Sequence, residues 1–126
     1  MRLERRAGPG HARRVSLFLV RVGRGEEVLE TIERAVAERG VTAASITLIG
    51  AVKGCTLSVM PRNDETADIL TGIDEPLELT GSGEVVDGKV HVHVAAGGKG
   101  RTVVGHLHRA TVPAFFVRAY VTPLEP

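Results

Sequence analysis

Residues 89–108 read Lys-Val-His-Val-His-Val-Ala-Ala-Gly-Gly-Lys-Gly-Arg-Thr-Val-Val-Gly-His-Leu-His. Val90-His91-Val92-His93-Val94 alternates strictly, and successive side chains of a strand point to opposite faces. Val90, Val92 and Val94 therefore share one face, which belongs on a core. His91 and His93 share the other, roughly 7 Å apart along the strand. Ala96-Gly97-Gly98-Lys99-Gly100 reads as a turn, and Val103 to His108 as the returning strand. If the hairpin turns midway between Lys99 and Gly100, residues whose numbers sum to 199 face each other. His93 then meets His106 and His91 meets His108, with cross-strand partners about 5 Å apart on one face. A slip of one residue would send the second pair to the opposite face.

Neutral imidazole ligates Zn²⁺, Cu²⁺, Ni²⁺ and Fe²⁺. His91, His93 and His106 are the expected ligands of a divalent metal, with zinc the expected ion. His108 is a possible fourth. Three histidines with an open position make a catalytic type of zinc site, and four close it into a structural one. Gly105 would let a backbone or a ligand approach beside His106. Glu75, Glu78 and Glu84 lie on neighbouring segments. Glu75 and Glu78 are the candidates for a supporting carboxylate or a general base.

Outside this stretch, residues 14–22 form an apolar strand that ends at the turn Gly23-Arg24-Gly25. A helix is expected over residues 26–39. Val28, Ile32, Ala35 and Val36 recur at helical spacing, Glu26 and Glu27 suit the positive end, and Gly40 stops it. Strands are expected at 45–52 and 55–60. Further short strands are expected near 67–70, 77–80, 83–86, 89–95, 101–107 and 115–122. Asp87-Gly88 is a hairpin turn signal. One helix followed by many strands is an α+β pattern.

The chain has 126 residues, one domain's worth, and 43% of them are hydrophobic, which is enough for a core. Aromatics stand at 3% with no Trp, which excludes binding of single strands by base stacking. The lone cysteine, Cys55, excludes an intramolecular disulfide and a cysteine-built zinc site, and its place on an apolar strand face makes it a buried, inert thiol. No apolar run is long enough for a signal-peptide core or a membrane span. The expected location is the cytoplasm, with no membrane partner. Residues 1–24 hold seven arginines against one glutamate, a net +6 that leaves −5 for the remainder of a chain whose total is +1. Residues 1–13 therefore read as a flexible basic arm, with 14–126 as the folded domain. Arg2, Arg5, Arg6, Arg13 and Arg14 are the candidate contacts to nucleic-acid phosphates.

Taken together, several motifs resemble the plant and prokaryote conserved (PPC) domain family. They are the helix opened by Gly-Glu, Ile49-Gly-Ala-Val52, Glu75-Pro-Leu-Glu-Leu-Thr-Gly81, His91-Val-His93 and Gly105-His106-Leu107. The resemblance spans about residues 14–121. It implies one helix against a mixed, mainly antiparallel β-sheet, and homotrimers. Plant members pair the domain with an AT-hook and mediate assembly and partner contacts. Stand-alone prokaryotic members are called DNA-binding by that analogy. This chain has no AT-hook core, has Val104-Gly105 where the family has a double glycine, and adds His108. The fold is also similar to that of acetolactate decarboxylase, whose His-x-His pair and third histidine match His91, His93 and His106. Two functions are thus expected: a DNA-binding or assembly module with a divalent-metal site, or a small metal-dependent lyase or hydrolase acting on a carbonyl or carboxylate compound.

Overall fold

A computed structural model describes residues 16–124. In chain order the elements are β1 (Phe18–Val22), α1 (Val28–Glu38), β2 (Ala43–Val59), β3 (Ile69–Val86), β4 (Lys89–Gly98), β5 (Arg101–Thr111) and β6 (Val117–Pro123). The sheet order is β1-β6-β2-β3-β4-β5, and β2 also pairs with β5. Strands β2, β3, β4 and β5 thus close into a ring. The first half of β2 carries β6 and β1 as an extension. The pairing with β2 covers part of the free edge that an open sheet would leave on β5.

The α+β class with a single helix holds. The mixed sheet does not, because every strand pairing among the described residues is antiparallel. The helical crossover makes β1 and β2 run the same way, as parallel neighbours would. Strand β6 inserts between them and runs against both.

Two strands each join segments that the sequence pattern suggests are separate. Segments 45–52 and 55–60 are one strand, β2, whose register shifts between Lys53 and Cys55. Gly54 sits at that shift with φ of 85°, a conformation open to glycine. Segments 67–70, 77–80 and 83–86 fall largely within β3. Pro76 lies inside β3 opposite Lys53, beside the bulge. A missing N–H is tolerated there, so the proline does not end the strand. The residues that look like breaks are the bends that let long strands coil into a ring. Asp87 and Gly88 have φ of 52° and 79°, the pair a two-residue type I′ hairpin requires.

Helix α1 is capped at both ends. The Glu27 side chain accepts from Glu30 N–H at 2.9 Å. At the other end Gly40 N–H donates to Ala37 O and Val41 N–H to Val36 O. These two bonds form a Schellman stop, with Gly40 at φ of 69°. Val28, Ile32 and Val36 are fully buried and join the core with Val20, Ile46, Leu57, Val92 and Val94. The helix also fills a split in the ring. Its Glu33 accepts the Val90 N–H and its Glu27 the Ala110 N–H, each at 2.9 Å. These are the N–H groups of β4 and β5 where the two strands have parted, and unpaired they would be destabilising. Cys55 is buried in the core, where burial pushes its thiol pKa up and keeps it protonated and inert.

Candidate metal centre

Strand β4 buries Val90, Val92 and Val94 and turns His91 and His93 outward. The β4–β5 hairpin turns at Lys99-Gly100, and His93 faces His106. This is the register expected from the midpoint of the turn. The His91 and His93 ring centroids are 5.3 Å apart, His91 and His106 4.7 Å, and His93 and His106 5.5 Å. One ring nitrogen from each of the three lies within 4.8 Å of the others. Three nitrogens around a tetrahedral zinc at about 2.0–2.1 Å would stand about 3.3 Å apart. The donors suit the ion in type, and their present spacing exceeds that of a bound set by at most about 1.5 Å.

His108 does not join them. Pairing of β4 with β5 ends at His93 and His106, so His91 and His108 never face each other. Beyond His106, β5 runs along β2. There Leu57 faces Leu107 and Thr56 faces Arg109, which leaves His108 as the extra residue of a bulge. His108 keeps the face of His106 across the buried Leu107, and the alternation breaks after it, at Arg109. His108 Nε2 is 2.9 Å from Ser58 Oγ, and its ring stacks on His106 at 4.6 Å between centroids. Gly105 makes the approach of β5 to β2 possible. A Cβ at that position would lie 2.4 Å from the Ser58 carbonyl oxygen. The close partner expected beside Gly105 is therefore backbone.

The carboxylates near the histidines are not Glu75 or Glu78. Glu75 lies 3.9 Å from Arg101. Glu78 faces Gly97, four residues along β4 from His93, or roughly 13 Å. Glu84 instead faces His91 across β3 and β4, with Oε2 3.5 Å from His91 Nδ1. A carboxylate on one ring nitrogen orients the other toward a metal. The Asp87-Gly88 turn already places Glu84 opposite His91, so the sequence held this signal. Asp68 is the other acid that acts on His106. It lines a cavity of about 590 Å³ with Glu65, Thr66, His93 and His106. It precedes β3 on the loop after β2, and no local pattern announces it.

His106 titrates below its ordinary value of 6.5. Burial is the main cause, and repulsion from His108, His91 and His93 adds to it, while Asp68 opposes. A ring held neutral is ready to ligate. Arg2, Arg5, Arg6, Arg13 and Arg14 lie outside the described residues. Among the described residues no helix is long and apolar enough to cross a membrane.

The sequence profile of the Plants and Prokaryotes Conserved (PCC) domain matches residues 10–125. No curated protein matches the sequence. Among solved structures, a metal-containing protein from Archaeoglobus fulgidus is similar at 32% identity and a TM-score of 0.78, covering 88% of this chain and 81% of that one. A plant- and prokaryote-conserved protein from Pyrococcus horikoshii is similar at 28% identity and a TM-score of 0.76, covering 87% and 79%. A candidate DNA-binding protein from Bacteroides thetaiotaomicron shares the fold at 21% identity and a TM-score of 0.72, covering 91% and 83%.

Proposed function

Because this chain belongs to the Plants and Prokaryotes Conserved (PCC) domain family, we propose that it is a non-enzymatic assembly module. It forms homotrimers and holds one divalent metal ion, zinc, per chain. The observation that carries the metal reading is the convergence of three imidazole nitrogens, from His91, His93 and His106, within 4.8 Å. A relative at 32% identity is itself a metal-containing protein, which supports it. Bound there, the ion would tie β4 to β5 and stiffen the hairpin. Glu84 would orient His91, and burial would keep His106 neutral.

The trimer reading rests on the family and on the face that carries the histidines. Leu19, Tyr120, Thr47, Ser82, His93 and His106 form one continuous outward row across the sheet. The next row includes Ile49, Thr80, Ala95 and Val104. Leu19, Tyr120, Ile49 and Val104 are exposed on this face, while α1 packs on the inner side. Exposed apolar side chains set among threonines, histidines and the arginines Arg21 and Arg118 of the same row suit a protein interface.

Elemental analysis and sedimentation of tag-free protein test both parts together. The expected result is a trimer holding three zinc ions, with the metal lost in His93→Ala. Metal-free protein, or full metal content in His93→Ala, would overturn the metal site. A monomer at micromolar concentration would overturn the assembly.

A second reading is favoured by the arginines of residues 1–24, seven against one glutamate. They suit contact with DNA phosphates, and a trimer would present three such arms with the avidity of linked sites.

A further inference from the structure

We infer that His108 and Ser58 form a positioning device for His106, at the bulge in β5. The inference rests on the proposed metal site and assigns a role to the one clustered histidine outside it. Three independent features converge on it. First, the bulge gives β5 one residue more than β2 between the Leu57–Leu107 and Thr56–Arg109 pairs, and that residue is His108. His106, Leu107 and His108 keep plain alternation, so His108 shares the face of His106, and the break falls after it, where Arg109 is exposed as well. Second, Ser58 is 3% exposed, one of only two buried polar residues in the described core. A buried hydroxyl needs a partner, and Ser58 finds it in His108 Nε2 at 2.9 Å. Third, the His108 ring lies on the His106 ring with centroids 4.6 Å apart and planes inclined by 30°.

The chain of contact therefore runs from the β2 wall through Ser58 to His108, and from the His108 face to His106. The backbone on either side is equally constrained. Ser58 faces His106 directly across β2 and β5, and Gly105 allows no side chain between them. His106 can turn about its side-chain bonds only by sliding against a ring that is itself anchored. His91 has a comparable support in Glu84. His106 has no hydrogen-bonded partner of its own among the described residues, so the stacked ring takes that place. Hydrogen-bonded partners behind a metal ligand contribute on the order of 10–100-fold in affinity, and a stacked ring, which fixes orientation alone, belongs at the low end.

The test combines metal affinity with a readout that needs no metal. Zinc titrations against a chromophoric chelator compare the wild type with Ser58→Ala, Ser58→Thr, His108→Ala and the Ser58→Ala/His108→Ala double variant. His108→Ala and Ser58→Ala should bind zinc about 10-fold more weakly at unchanged stoichiometry. Ser58→Thr, which keeps a hydroxyl, should restore most of the loss. The double variant should be no worse than His108→Ala, because the two residues act along one path. The ligand-field spectrum of the Co²⁺-loaded protein should be the same in His108→Ala as in the wild type. In the metal-free protein, the His106 ring resonances should shift in His108→Ala. Wild-type affinity in both single variants, or unchanged His106 resonances in metal-free His108→Ala, would overturn the inference. An altered Co²⁺ spectrum in His108→Ala would overturn it too, by making His108 a ligand. If the wild type binds no metal while the His106 resonances still respond to His108→Ala, the metal site fails and the positioning contact stands.

Discussion

Replacing Gly105 with alanine should open the ring beside the histidines. The added Cβ would lie 2.4 Å from the Ser58 carbonyl oxygen and 3.0 Å from Val59 Cγ1. Ordinary contact begins about 1 Å farther out, and the obstacle is backbone, which no rotamer change can move. Strands β2 and β5 must therefore separate locally. Two rungs are at stake, Ser58 with His106 and Leu57 with Leu107. Weakening them forfeits about 1 kcal/mol per hydrogen bond, and overpacking adds about 1–3 kcal/mol. The expected loss is about 3–5 kcal/mol, which for a chain of this length lowers Tm by roughly 11–19 °C. Gly72→Ala is the control, since its Cβ would meet nothing closer than Thr56 Oγ1 at 3.9 Å. It should stay within about 0.5 kcal/mol of the wild type. Thermal unfolding in the presence of a chelator measures both variants without a contribution from metal. A Gly105→Ala protein melting within about 2 °C of the wild type would refute the claim that ring closure depends on a bare backbone at this position.

Two other outcomes follow from the charges. The lowered pKa of His106 means that the unfolded chain takes up a proton at higher pH than the folded one. Stability should therefore fall as pH drops below 6.5 and level off below the folded value. In metal-free protein, His106→Gln should have the flatter Tm profile between pH 8 and pH 5, and a steeper profile in the variant would reverse the sign. If the arm contacts DNA, affinity should decline steeply with salt. Deleting residues 1–13, which removes Arg2, Arg5, Arg6 and Arg13, should lower the slope of log affinity against log salt by up to about 3–4. An unchanged slope in fluorescence anisotropy would exclude the arm.

Local pattern carried much of this protein. The alternation in residues 90–94 told core from surface, because a strand's period of two depends on no neighbour. The Lys99-Gly100 turn set His93 opposite His106, and Asp87-Gly88 set Glu84 opposite His91, because a tight hairpin fixes its register from within. The helix was equally legible from its stripe and its glycine stop, to within two residues at its start. What local pattern could not supply was where strands meet that are far apart in sequence. The insertion of β6 between β1 and β2 made the sheet wholly antiparallel, and the contact of β2 with β5 turned it into a ring. That same contact took His108 out of the row it would share with His91 and set it beside Ser58, 50 residues earlier. It is also the loop after β2 that carries Asp68 to the cavity beside His106. Hairpin register is a short-range property of turn geometry, whereas ring closure is settled by the packing of the whole core. The three candidate ligands could thus be named from the sequence, while the place of the fourth histidine, beside Ser58, was decided by the tertiary structure.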